Sequence, residues 1–229
     1  MGRLLRLTSM AMLAMTTLVV SAKADFYQIV QPNNAISGSD PTAYTSGTTK
    51  ISISSISDYT NLSSITNGTQ TVSFSETLTK GQVPGGGWAS WDNPQATESG
   101  VPPVLITDAS TTLLTLNLQV PSSTFGIEIQ PSTTANVTAS FYQGSTLVGS
   151  ITNNVNSTSG ALLFAATSYS NPFTIVTVSV PAAAQGFAMA QFRYSTTSQP
   201  VPEPASIALI AQACAAAGFY TWRKRRKTA

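Results

Sequence analysis

The chain has 229 residues, 11 of them basic and 9 acidic, for a net charge of +2, with one cysteine and no histidine. The missing histidine excludes Ser-His-Asp and Cys-His catalytic constellations and any His-ligated zinc site. Charged residues make up only 9% of the sequence, so the surface must be built largely from hydroxyls and amides.

At the front, Arg3 and Arg6 precede an apolar stretch over residues 7–20, and Ala22-Lys23-Ala24 follows as a small-x-small cleavage site. This order predicts a signal peptide over residues 1–24, cut at Ala22 and Ala24 by signal peptidase after delivery to the general secretion machinery. The mature chain would begin near Asp25. Removing the ends changes the charge. Residues 25–201 hold only Lys50, Lys80 and Arg193 against Asp25, Asp40, Asp58, Glu76, Asp92, Glu98, Asp108 and Glu128, a net charge of −5. A nucleic-acid role is excluded on that count, because phosphate binding needs basic side chains that this body lacks. The body spans about 177 residues, enough for one core, and holds no cysteine, since Cys214 lies near the C-terminus. Its stability must come from burial rather than disulfides.

From residue 51 onward the hydrophobic period is two. Ile51 and Ile53 alternate with serines, Val72 and Phe74 with Thr71, Ser73 and Ser75, and Leu114, Leu116, Leu118 and Val120 with Thr115, Asn117 and Gln119. Phe125, Ile127 and Ile129 continue the pattern, as do residues 137–141, 146–151, 161–164, 173–180 and 187–194. Each run puts one face on a core and one in solvent, which predicts half-buried strands. Asn67-Gly68, Gln143-Gly144-Ser145, Asn153-Asn154 and Ser159-Gly160 supply turn chemistry between them. No convincing helical stretch precedes Ala205, so the expected fold is all-β, a single antiparallel β-sandwich over residues 25–194.

Between Lys80 and Pro103 the alternation stops. Three consecutive glycines, Gly85 to Gly87, introduce Trp88 and Trp91, followed by Asp92 and Asn93. A loop of this length inside a compact domain is usually functional. In one reading Trp88 and Trp91 present flat apolar faces to sugar rings while Asp92 bonds hydroxyls. In the other, both indoles fold back as a lid over one end of the sandwich, since a tryptophan buries a large area wherever it can. For catalysis, Glu76, Glu98 and Glu128 are the carboxylates a glycoside hydrolase would draw on, but eight acids spread along the body read more simply as solvated charges. No catalytic residue is assigned. No Asp-x-Asp-x-Asp cluster appears either, so no metal site and no cofactor are expected.

Residues 195–200 form a polar linker, and residues 201–229 have three parts in fixed order. Val201-Pro202-Glu203-Pro204 is locked in extended backbone by its two prolines. Residues 205–222 are 18 uncharged, mostly apolar residues, the low end of what spans a bilayer as a transmembrane helix. Arg223, Lys224, Arg225, Arg226 and Lys227 then form a basic stop that fixes the far end on the cytoplasmic side.

This tripartite tail resembles the PEP-CTERM sorting signal of exported bacterial proteins. The resemblance implies that a membrane-embedded exosortase recognises the Pro-Glu-Pro motif and releases or transfers the upstream body, in cells that make extracellular polysaccharide. Residues 125–130, 141–144 and 186–194 are also similar, more loosely, to the jelly-roll-type domain of many such proteins. The expectation is an exported protein, held transiently at the inner membrane and then placed at the cell surface or in the biofilm matrix. Its role there would be structural and non-catalytic. The alternatives are a module that binds exopolysaccharide through the Trp-bearing loop and a glycoside hydrolase.

Overall fold

The computed structural model describes residues 26–29, 41–91 and 97–196. The signal peptide, Ala22, Ala24, Asp92, most of the linker and the whole tail from Val201 to Ala229 lie outside the described residues. Among the described residues no helix is long and apolar enough to cross a membrane.

Among the described residues the body is mostly β, and its strands pair antiparallel. In chain order it runs β1 (Phe26–Ile29), α1 (Pro41–Gly47), β2 (Thr49–Lys50), β3 (Asn61–Thr66), β4 (Thr71–Gln82), β5 (Pro103–Ile106) and β6 (Leu113–Ser122). It continues with β7 (Thr124–Pro131), β8 (Ala135–Gln143), β9 (Thr146–Val155), β10 (Leu162–Ser168), β11 (Phe173–Ser179), a 3-10 turn (Ala182–Ala184) and β12 (Phe187–Ser195). The strands join in one continuous ladder in the order β1-β10-β7-β12-β5-β4-β6-β11-β8-β9, with β2 added to β12 and β3 to β4.

The expected antiparallel two-layered body is present, but its layers are one sheet curled on itself. β4 makes the turn between layers. Its first residues, Val72 to Phe74, pair with β6, and its last, Thr79 to Gly81, pair with β5. The first layer is therefore β1-β10-β7-β12-β5 and the second β4-β6-β11-β8-β9. Their inner faces share one core, in which Phe125, Ile127, Ile129, Phe164, Phe187 and Met189 meet Leu114, Leu116, Val137, Phe141, Phe173 and Val176. Phe74 of the second layer and Phe192 of the first approach to 6.3 Å between ring centroids.

The ends of the ladder also meet. Phe26 on β1 packs 5.6 Å from the Phe141 ring and 6.3 Å from Phe173, both in the opposite layer. Its ring lies on Gly149 of β9, where a Cβ would overlap it. The ends meet through side chains, the ladder itself stopping at β1 and β9.

The alternating runs from residue 72 onward form strands at the expected places, and the structure departs from expectation at Ile51 and Ile53, at Asn153-Asn154 and at α1. Ile51 and Ile53 are buried, at 1% and 4% exposure, but their backbone is irregular rather than a strand. Only Thr49 and Lys50 pair with β12, and the chain bends away at Ser54 and Ser55. Asn153-Asn154 is not a turn. β9 continues through it to Val155, and Asn154 Nδ2 donates to Asn136 Oδ1 across the ladder at 2.9 Å. The helix α1 was not expected, because its PTAYTSG sequence carries no helical apolar period. The Asn67-Gly68 turn is as read: Asn67 Oδ1 accepts the backbone N–H groups of Thr69 and Gln70, and Gly68 takes φ 86°.

Candidate functional site

β7 departs from a half-buried strand. Its inward residues Phe125, Ile127 and Ile129 are buried, and so are its outward residues Gly126, Glu128 and Gln130. Two coverings lie over that outer face. One comes from residues 83–91 and 97–101, whose Val83 and Trp91 pack with Val104, Ala161, Ala188 and Ala190, with Trp88 and Ile106 at the margin. The other is α1, whose Tyr44 packs on Leu163 and Ala165. The sheet beneath is surfaced with alanines, and their small side chains leave room for an indole.

Between the two apolar coverings runs a polar seam. Glu128, 1% exposed, accepts from Trp91 Nε1 through Oε2 at 2.9 Å and from the Glu98 backbone N–H through Oε1 at 2.6 Å. Beside it Gln130 accepts from Trp88 Nε1 at 2.7 Å and donates to the Ser157 carbonyl at 2.7 Å. The Glu98 carboxylate takes the Arg193 Nε hydrogen bond and lies 3.8 Å from Lys50 Nζ. Arg193 Nη1 donates to the carbonyls of Thr45 at 3.0 Å and Thr48 at 3.2 Å, tying the end of α1 to β12. The Tyr44 hydroxyl sits directly over Gly126, where any side chain would strike it, and is buried with no hydrogen-bond partner among the described residues.

The position of Arg193 depends on a bulge. Ala190 pairs with Glu128 and Arg193 with Gly126, so β12 takes three steps where β7 takes two. The extra residue is Gln191, at φ 55°. Without it the period of two would turn Arg193 into the apolar core and Phe192 out of it; with it Phe192 is buried and Arg193 lies beside Glu98.

Burial pushes the Glu128 carboxyl up from 4.5 to about 7. The two hydrogen bonds it accepts and the Lys50 charge pull the other way, and the Glu98 charge adds to the rise. Tyr44 is raised well above the ordinary phenol value, first by burial and then by the Glu98 charge.

These placements decide between the two readings of the loop for one of its tryptophans. Trp91 is 0% exposed and spends its indole N–H on Glu128. It is a lid, and a buried ring offers no face to a sugar. Trp88 is half-buried, its N–H held by Gln130. Of the three carboxylates weighed for hydrolysis, Glu98 and Glu128 come together and Glu76 stands apart, accepting from Thr111 Oγ1 at 2.7 Å. Glu128 is not the solvated charge that alternation implied. Nothing in the sequence marked Tyr44, Lys50, Gln130 or Arg193 as its company; the loop's two tryptophans were the only signal that the outer face of a strand would be covered. Among the described residues no group of three or more metal-ligating side chains occurs.

No protein-family model and no curated protein matches this sequence. Among solved structures, a family 29 carbohydrate-binding module from Piromyces equi is similar at 13% identity and a TM-score of 0.32, over 66% of this chain and 90% of that one. The enzymatically active domain of tailspike protein 4 from bacteriophage CBA120 is similar at 16% identity and a TM-score of 0.32, over 56% of this chain but only 19% of that one. Likenesses at this TM-score carry no argument about the fold or activity of this chain.

Proposed function

We propose that this chain is an exported protein of the cell surface or extracellular matrix, with a non-catalytic, structural role among extracellular polysaccharides. The observation that carries the reading is the C-terminal order of Pro202-Glu203-Pro204, an 18-residue apolar run and the basic stop from Arg223 to Lys227. A cleavable front and a cationic stop at the back leave the acidic body outside the cytoplasm. The processing partners are signal peptidase and an exosortase-type enzyme, and the body is a jelly-roll-like sandwich.

Two features of the body support a structural rather than chemical task. Both oxygens of Glu128 are occupied by donors from the lid that covers it, so this carboxylate meets no substrate while the lid is seated. Trp91 is likewise buried with its indole N–H on Glu128, which speaks against its stacking on a sugar. Mass spectrometry of the mature protein recovered from its host tests the proposal. The expected species begins near Asp25 and ends at or near the Pro-Glu-Pro motif. Recovery of the intact chain from the cytosol, with leader and basic end both present, overturns it.

A further inference from the structure

The outer face of the second layer carries a pattern that the lid and its seam leave unused. Strand registers align hydroxyl side chains across the layer. Ser150 on β9 pairs with Ser140 on β8, Ser140 with Thr177 on β11, and Thr177 with Thr115 on β6. The Thr115 N–H then donates to Ser75 Oγ on β4 at 2.9 Å, so one row of hydroxyls crosses five strands. A parallel row joins Thr152, Thr138 and Ser179, with Thr138 and Thr152 hydrogen-bonded at 2.9 Å. On the other side a third row runs Leu147, Tyr142, Ile175, Asn117 and Ser73. All of these side chains are exposed or half-exposed, and their inner-face strand neighbours are mostly buried, Val148 and Gly149 of β9 being half-buried.

None of these three rows contains a charged side chain. Among the described residues the ionic groups lie elsewhere: Lys50, Glu98, Glu128 and Arg193 in the seam of the first layer, Lys80 with Asp58 near the β4 end that turns into it, and Asp108 in the loop between β5 and β6. Glu76, at the margin of the second layer, has its carboxylate engaged by Thr111. An anionic polymer finds no cation on this face, and a membrane surface finds neither cations nor a broad apolar patch. What the rows do offer is a lattice of neutral donors and acceptors spaced by the strand repeat of about 4.8 Å, bordered by one aromatic ring and three aliphatic side chains, Leu147, Ile175 and Leu113, the last paired with Ser179. Its complement is a ligand that is uncharged, rich in hydroxyls and apolar on its ring faces.

We infer that the outer face of β4-β6-β11-β8-β9 binds an uncharged polysaccharide chain, with Tyr142 stacking on a sugar ring and Ser140, Thr177, Thr115 and Asn117 bonding its hydroxyls. The inference deepens the matrix role and rests on it for the claim that the chain meets such a polymer. Binding through many weak neutral contacts suits a structural component, because each contact contributes little and the array supplies the avidity.

Affinity electrophoresis of the mature protein through gels holding laminarin, hydroxyethylcellulose or alginate tests it. Retardation is expected in at least one of the two neutral glucans and none in alginate. Thr177→Glu, which sets an unpaired charge in the middle of the face, and Tyr142→Ala should each weaken the retardation about tenfold or more. Val101→Ala, exposed on the covering of the other layer, should leave it unchanged. Unaltered circular dichroism of the two face variants separates lost binding from lost folding, and Asn117→Asp replaces either one that fails to fold. Equal retardation of wild type and face variants, preference for alginate, or no retardation by either neutral glucan overturns the inference. So does sedimentation showing that a second copy of the chain, released by Thr177→Glu, already occupies the face. These outcomes are independent of the mature termini, so the binding face and the export route fail separately.

Discussion

The carboxyl of Glu128 makes stability depend on pH in the direction opposite to that of an ordinary ion-paired acid. Its folded-state pKa is raised from 4.5 to about 7, so between those values the folded chain holds a proton that the unfolded chain has released. Stability then falls as pH rises through this window, because the unfolded state binds fewer protons than the native one. The contribution is complete below pH 4.5 and is gone above pH 7. At about 1.4 kcal/mol per pKa unit, the whole effect is at most about 3–4 kcal/mol. Glu128 is 1% exposed, so solvent screens little of it. The groups facing it, Glu98, Lys50, Arg193 and Tyr44, do not reverse the sign, since burial is the largest cause of the shift. Asp108, whose carboxyl is held below its usual value by hydrogen bonds from Ser110, acts oppositely and at lower pH.

The measurement is urea unfolding from pH 4 to pH 9, followed by tryptophan fluorescence, for the wild type and Glu128→Gln. The amide cannot ionise, so the fall between pH 4.5 and 7 should flatten in the variant. It cannot accept from both Trp91 and Glu98 N–H without presenting a donor to one of them, so the variant should be less stable than wild type at pH 5 by about 1–3 kcal/mol. The curves should converge or cross near neutrality, where the wild type has lost its proton. An identical slope in both proteins between pH 5 and 7 would refute the account of this carboxyl as a buried acid.

Three further outcomes follow from the packing. Trp91→Ala empties the space over the alanine floor of the sheet and removes one of the two donors to Glu128; thermal unfolding should report a loss of about 3–5 kcal/mol. Gly149→Ala drives a methyl into the Phe26 ring where the sheet closes, and should cost about 1–3 kcal/mol, with faster amide exchange in β1 as the sign that closure, not the core at large, is affected. Gln191→Gly should be neutral or stabilising within about 1 kcal/mol, since φ 55° suits glycine, whereas Gln191→Val should destabilise by about 1–2 kcal/mol; chemical denaturation of the pair reads both.

Strands were legible where one face alone is buried. Leu114, Leu116 and Leu118 alternate with polar residues because β6 has a core on one side and solvent on the other. The same rule misplaced Glu128, because β7 is covered on both sides and the covering comes from a segment some forty positions earlier. Asn153-Asn154 misled for a related reason: their amides are turn formers locally, but a neighbouring strand supplies Asn136 as a partner and keeps the chain extended. β5, only four residues long and beginning at the second proline of Pro102-Pro103, is too short for its period to be seen and becomes a strand because β4 and β12 offer it edges.

What the amino acids settled unaided is whatever depends on nearest neighbours and on totals: the period of two, the Asn67-Gly68 turn, the lack of histidine chemistry, and the contrast between basic ends and an acidic middle. Three matters were left to the tertiary fold. They are the closure of the ladder at Phe26 and Gly149, the one-residue bulge that swings Arg193 out to Glu98, and the registers that set hydroxyl beside hydroxyl across five strands. Each fixes which distant segments lie side by side. That choice is made by packing the whole core at once, and no window along the chain contains it.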